Sequence, residues 1–90
     1  MQDVSEELTV VNKLGIHARP AAALVQCVLV FQSEVYISFQ GSRVNAKSIM
    51  GLLTLAATQG SRLTITCKGN DAEATLAAVK TLFASGFGEN

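Results

Sequence analysis

The chain has 90 residues, 49% hydrophobic and 16% charged, with seven Lys and Arg balanced by seven Asp and Glu. That apolar content excludes a disordered chain, and the length allows one small domain with one core. A net charge of zero argues against a nucleic-acid partner, which usually requires a basic excess.

The opening "MQDVSEE" is polar and acidic, without the basic start and apolar stretch of a signal peptide. "ELTVVN" then alternates, with Leu8 and Val10 on one face and Thr9 and Val11 on the other, and predicts a half-buried strand. After "KLGIH", the alanine- and leucine-rich segment from Ala18 to Gln32 predicts a helix. Its apolar run, Ala21 to Phe31, is interrupted by Gln26 and falls short of the ~20 residues of a membrane span. A cytoplasmic protein without membrane insertion is expected.

"EVYISF" alternates with Val35, Ile37 and Phe39 on one face, "QG" signals a turn and "SRVN" returns, so 34–45 reads as a hairpin. Ser48 stands as the N-cap of a helix through "IMGLLTLAATQ", with Gly60 as its stop. "RLTITC" is a strand with Leu63, Ile65 and Cys67 inward. Asn70 and Glu73 form a capping-box pattern for a last helix whose apolar face is Leu76, Val79 and Phe83. The closing "SGFGEN" reads as a frayed tail.

The order βαββαβα, without a linker or repeat, makes residues 1–90 a single α+β domain: an antiparallel sheet with helices on one face. Strand order stays open at this level, and a ferredoxin-like arrangement fits the first six elements. Cys27 and Cys67 lack metal-ligand spacing and read as two buried thiols, one disulfide being the alternative.

The stretch "GIHARPAA" breaks local rules. His17, the only histidine, stands at the entrance of the first helix, where Ser, Thr, Asp or Asn would cap better. A lone histidine here is ordinarily a solvated loop residue. Arg19 opposes the partial positive charge of the helix start, and Pro20, the only proline, fits only in the first helical turn. An arginine at such a place makes sense if an anion visits, since free N–H groups, the dipole and a guanidinium together hold phosphate. An imidazole beside that anion is a nucleophile able to carry a phosphoryl group.

"GIHARPAA", together with "NAKSIMGLLTLAATQGSRLTI" at the right separation, resembles the HPr family, the histidine-containing phosphocarriers of the bacterial phosphoenolpyruvate-dependent sugar phosphotransferase system. The resemblance covers nearly the whole chain. It implies an open-faced β-sandwich with sheet order 1-4-2-3, which replaces the ferredoxin-like order. It implies that His17 accepts a phosphoryl group on Nδ1 from phosphorylated Enzyme I and passes it to an Enzyme IIA. Arg19 then steadies the phosphate, while Ala18 and Pro20 form the helix start. The family is a carrier without turnover of its own, and neither cofactor nor metal is implied.

Ser48, an ordinary N-cap by spacing, falls within "KSIMG", which in the family is the target of an ATP-dependent HPr kinase/phosphorylase. Ile49, Met50 and Leu53 have the spacing of a core stripe; the resemblance makes them docking residues for Enzyme I and Enzyme IIA. The alternative is an HPr-like regulatory protein working mainly through Ser48 phosphorylation and binding a transcriptional regulator or other target. One departure from relatives concerns the first helix, which has no charge between Arg19 and Glu34. Leu29 and Val30 are adjacent, so at least one of them is expected to be an exposed apolar spot.

Overall fold

A computed structural model describes residues 3–89. Its elements are β1 (Asp3–Thr9), α1 (Ala18–Leu29), β2 (Glu34–Phe39), β3 (Ser42–Asn45), α2 (Ile49–Thr54), β4 (Arg62–Lys68), α3 (Ala72–Ala84) and a short 3-10 turn, Gly86–Gly88. The four strands form one antiparallel sheet in the order β1-β4-β2-β3, the order that the family resemblance implied.

Alternation decides which face of the sheet is covered. Leu63, Ile65 and Cys67 of β4 stand opposite Leu8 of β1 and Ile37 and Val35 of β2, and all six are buried. Val10, Leu24, Val28, Leu52 and Val79 complete a core beneath α1, α2 and α3. The outer face is polar: Ser5 and Thr66 share a 2.8 Å hydroxyl contact, and the Arg43 guanidinium lies 4.1 Å over the Tyr36 ring. The hairpin at 40–41 turns with positive φ at both Gln40 (50°) and Gly41 (83°), the backbone of a type I′ turn that matches strand twist. Cys67 is fully buried and Cys27 half-buried, and both are free thiols. Burial, helped by the negative charge of Asp71, pushes the Cys67 thiol up to about 11.

Four boundaries differ from expectation, each for a tertiary reason. β1 begins at Asp3, inside the polar stretch, because its backbone already pairs with β4 there, Asp3 opposite Lys68 and Val4 opposite Cys67, while Glu6 meets Lys80 of α3 at 3.1 Å. Val10 lies past the strand but keeps pairing, its N–H donating to the Ser61 carbonyl (2.9 Å) and its carbonyl accepting from Gly60 (2.8 Å). α1 ends at Leu29, and both Leu29 (57%) and Val30 (79%) are exposed, so the apolar spot is larger than its minimum expectation. α2 stops at Thr54, not near Gly60: Ala56 turns left-handed at φ 52°, and the Ala57 carbonyl accepts from the Ile16 N–H at 3.0 Å.

The expected capping box at Asn70 and Glu73 does not form. Asp71 is the N-cap of α3, and its carboxylate reaches across to the end of α1. There it accepts the Gln32 and Ser33 N–H groups, both at 2.9 Å, and the Ser33 hydroxyl. The Ser33 hydroxyl and then the Gln32 N–H hold the Asp71 carboxyl below its ordinary 3.8, outweighing desolvation. A depressed carboxyl stabilises the fold above its unfolded value, and that contribution disappears as pH falls through the lower folded value. Asp71→Asn should therefore lower the thermal midpoint at neutral pH, and the gap from wild type should close below pH ~4. Thermal unfolding across that window measures it.

Candidate functional site

The fold brings three separated segments together at the start of α1. The first is the loop before the helix. Asn12 is fully buried, and its Nδ2 amide donates to the Gly15 carbonyl at 2.8 Å. Gly15 adopts φ 70°, and the Gly15–Ile16 backbone lies directly against the second segment, the Ala57–Thr58 strap that follows α2. The His17 N–H donates to the Gly15 carbonyl at 3.0 Å, and the His17 carbonyl accepts the Ala21 N–H to open the helix. His17 is the N-cap in extended geometry, yet its ring makes no capping hydrogen bond.

The third segment is the tail. The expected fraying of "SGFGEN" is wrong for 85–89; Asn90 lies outside the described residues. Gly86, Phe87 and Gly88 all have positive φ (64°, 58° and 74°) and reverse the chain after α3. Phe87 is buried with its ring 4.8 Å from that of Phe83, which anchors the reversal. Glu89 is thereby delivered to the site: its Oε2 meets His17 Nε2 at 2.8 Å, and its Oε1 accepts from Asn12 Nδ2 at 2.8 Å. The Glu89 side chain is 12% exposed and that of His17 36%.

The hydrogen-bond roles follow from chemistry. Both partners of the Asn12 amide are acceptors, so its NH2 faces them, and Oδ1 stays buried without a donor. Such an orphan costs about 1–3 kcal/mol, which marks the orientation as imposed by Gly15 and Glu89. A carboxylate only accepts, so Nε2 of neutral His17 carries the proton and Nδ1 keeps its lone pair. Nδ1 makes no hydrogen bond among the described residues.

Arg19 is exposed and makes no ion pair among the described residues. With Lys13, Leu14 and Glu89 it lines an open cleft of about 410 Å³. Ala18 is exposed as the first helical residue, and Pro20 is buried in the first turn, where its missing N–H leaves no carbonyl unpaired. The second motif lies on α2, which packs against α1. Ser48 is its N-cap, Oγ accepting the Gly51 N–H at 3.1 Å. Met50 is 72% exposed and Ile49 is exposed beside it, while Leu53 is half-buried against the core.

The matched family model is PTS-HPr, described as the PTS HPr component phosphorylation site, and it spans residues 4–85. The chain belongs to the HPr family. The phosphocarrier protein HPr of Xylella fastidiosa (strain Temecula1) is 46% identical over 87 residues, covering 97% of this chain and 98% of that protein. The crystal structure of HPr-C-His from Thermoanaerobacter tengcongensis superposes with a TM-score of 0.90 at 39% identity, covering 100% and 99% of the two chains. The HPr-like protein Crh of Halalkalibacterium halodurans is 45% identical over 76 residues, 84% of this chain and 90% of that one. The HPr family is one of phosphocarriers of the phosphotransferase system. The matched span stops short of Glu89, the site residue that the sequence reading missed. The available signal was Phe87, an aromatic between two glycines in an otherwise small and polar tail.

Proposed function

We propose that this chain accepts a phosphoryl group on His17 Nδ1 from phosphorylated Enzyme I and passes it to an Enzyme IIA in the cytoplasm. The observation that carries the reading is the occupation of Nε2 by Glu89, which leaves Nδ1 as the nucleophilic nitrogen. Arg19, without an anionic partner among the described residues, faces the incoming phosphate, and the N–H groups at the start of α1 add the positive end of its dipole. That dipole contributes about 0.3–2 kcal/mol, a scale suited to a group that must leave again. Exposed Ile49 and Met50, with Leu53 behind them, form the apolar docking surface, and the flexible Met50 adapts to more than one partner. No helix among the described residues is long and apolar enough to cross a membrane. Incubation with phosphoenolpyruvate and Enzyme I should give acid-labile, base-stable phosphate on the protein; no label where an authentic HPr is labelled would overturn the reading.

Ser48 supports a second, regulatory role, and the likeness to Crh favours keeping it in view. A phosphate on this N-cap gains from the helix dipole, so modification is compatible with the fold. In that state the added charge would alter which surfaces dock, including a transcriptional regulator. An ATP-dependent HPr kinase/phosphorylase should give acid-stable phosphate that Ser48→Ala removes. Loss of the cap bond should cost that variant only about 1 kcal/mol in thermal or denaturant unfolding.

A further inference from the structure

The Glu89 carboxylate has two donors and no spare role: Asn12 Nδ2–H on Oε1 and His17 Nε2–H on Oε2, each at 2.8 Å. An amide of the same shape cannot serve both, because it offers one acceptor oxygen and one donor NH2. Asn12 cannot rotate to help, since its NH2 is also bound to the Gly15 carbonyl. The Nε2–H tautomer of His17 therefore requires a carboxylate at this position, since an amide held by Asn12 would set its NH2 against Nε2, and the buried Phe87 fixes where the acid arrives.

We propose that Glu89 is a positioning residue that keeps the proton on His17 Nε2 through the whole phosphoryl cycle; this rests on the carrier reading of His17. In the free protein the neutral ring holds its proton on Nε2 toward Glu89, and the Nδ1 lone pair attacks phosphorus. The P–N bond forms as the bond from phosphorus to the donor nitrogen of Enzyme I breaks, with that electron pair leaving on the donor. The ring becomes a phosphoimidazolium whose positive charge lies against the Glu89 carboxylate. On delivery the acceptor attacks phosphorus, the P–N pair returns to Nδ1, and neutral imidazole leaves with its Nε2 proton never transferred. Without the carboxylate, proton loss from Nε2 would make the leaving group an imidazolate, a much poorer one. Glu89 thus both selects the nucleophilic nitrogen and keeps the phosphoryl group transferable.

The single histidine makes the test clean. Long-range proton–nitrogen NMR on nitrogen-15-labelled protein reads the His17 tautomer, and Enzyme I with phosphoenolpyruvate reads the rate of loading. Glu89→Gln should keep the Asn12 bond and turn its NH2 toward His17 Nε2, moving the ring toward the Nδ1–H tautomer. Loading should then fall by about tenfold or more, the direction taken when a catalytic histidine is held in its wrong tautomer. Glu89→Ala removes the wrong donor, so it should load faster than Glu89→Gln, while its phosphorylated form transfers more slowly than wild type. A tautomer and loading rate in Glu89→Gln equal to wild type would overturn the proposal. Failure of wild type itself to load would instead overturn the carrier reading, so the two failures are distinct. A disordered backbone NMR spectrum would assign any loss to misfolding and would also count against Glu89 as a positioning residue.

Discussion

His17→Ala should abolish labelling from phosphoenolpyruvate and Enzyme I while leaving the fold nearly as stable as wild type. The ring is part-exposed, caps no helical N–H and makes one polar contact, to Glu89. A contact of that kind near the surface is worth about 0–1 kcal/mol, so thermal unfolding should move by only a few degrees. The function lost is the covalent bond itself: no other side chain at the start of α1 is a nucleophile, since Arg19 is permanently charged and Ala18 and Pro20 are inert. Residual label above background in this variant, acid-labile like the wild-type label, would place the carrier nitrogen elsewhere. Arg19 can only tune the step, because a guanidinium steadies phosphate without bonding to it.

The contrast between that site and the rest of the chain explains what the sequence made readable. Strands β2 and β4 were legible because alternation has a single cause, one covered face, and Val35, Ile37, Leu63 and Ile65 obey it. The start of α1 was legible for the opposite reason: Pro20 marks the first turn, while His17 and Arg19 beside it violate helix-entry preferences, and such violations collect where a ligand supplies the missing partner. The end of α2 was not legible, since Leu55, Ala56 and Ala57 are helix formers by propensity. The chain leaves the helix there to give the Ala57 carbonyl to Ile16, an interaction 41 residues back in sequence and invisible to local pattern. Asp71 was hidden likewise, its carboxylate spent on Gln32 and Ser33 and not on capping the N–H groups of its own helix. In the tail, glycines that ordinarily signal fraying instead supply the left-handed turns that carry Glu89 back to His17.

That long-range strap sets up a large stability effect for a single methyl group. Gly15 holds φ 70°, and a Cβ built there would lie 2.3 Å from the Ala57 carbonyl oxygen and 2.9 Å from Thr58 Cα. Both obstacles are backbone, so no side-chain rotation relieves them. Left-handed geometry alone costs a non-glycine residue about 1–2 kcal/mol, and separating the two backbones also strains the Ile16 N–H bond to Ala57. Gly15→Ala should therefore destabilise by about 3 kcal/mol or more, a fall of roughly 12–24 °C in the thermal midpoint. Gly60→Ala is the matched control, with φ 91° and nothing within 4 Å of the new Cβ, so it should lose only the backbone share. The pair should also separate in function. The Gly15 carbonyl receives both the His17 N–H and the Asn12 amide, so moving it displaces the ring and the residue that holds Glu89. Phosphoryl loading should fall in Gly15→Ala even at temperatures where it stays folded, and remain at wild-type rate in Gly60→Ala. Equal losses in the two variants would mean that the contact between Gly15 and Ala57 is loose, and that His17 is positioned by α1 alone.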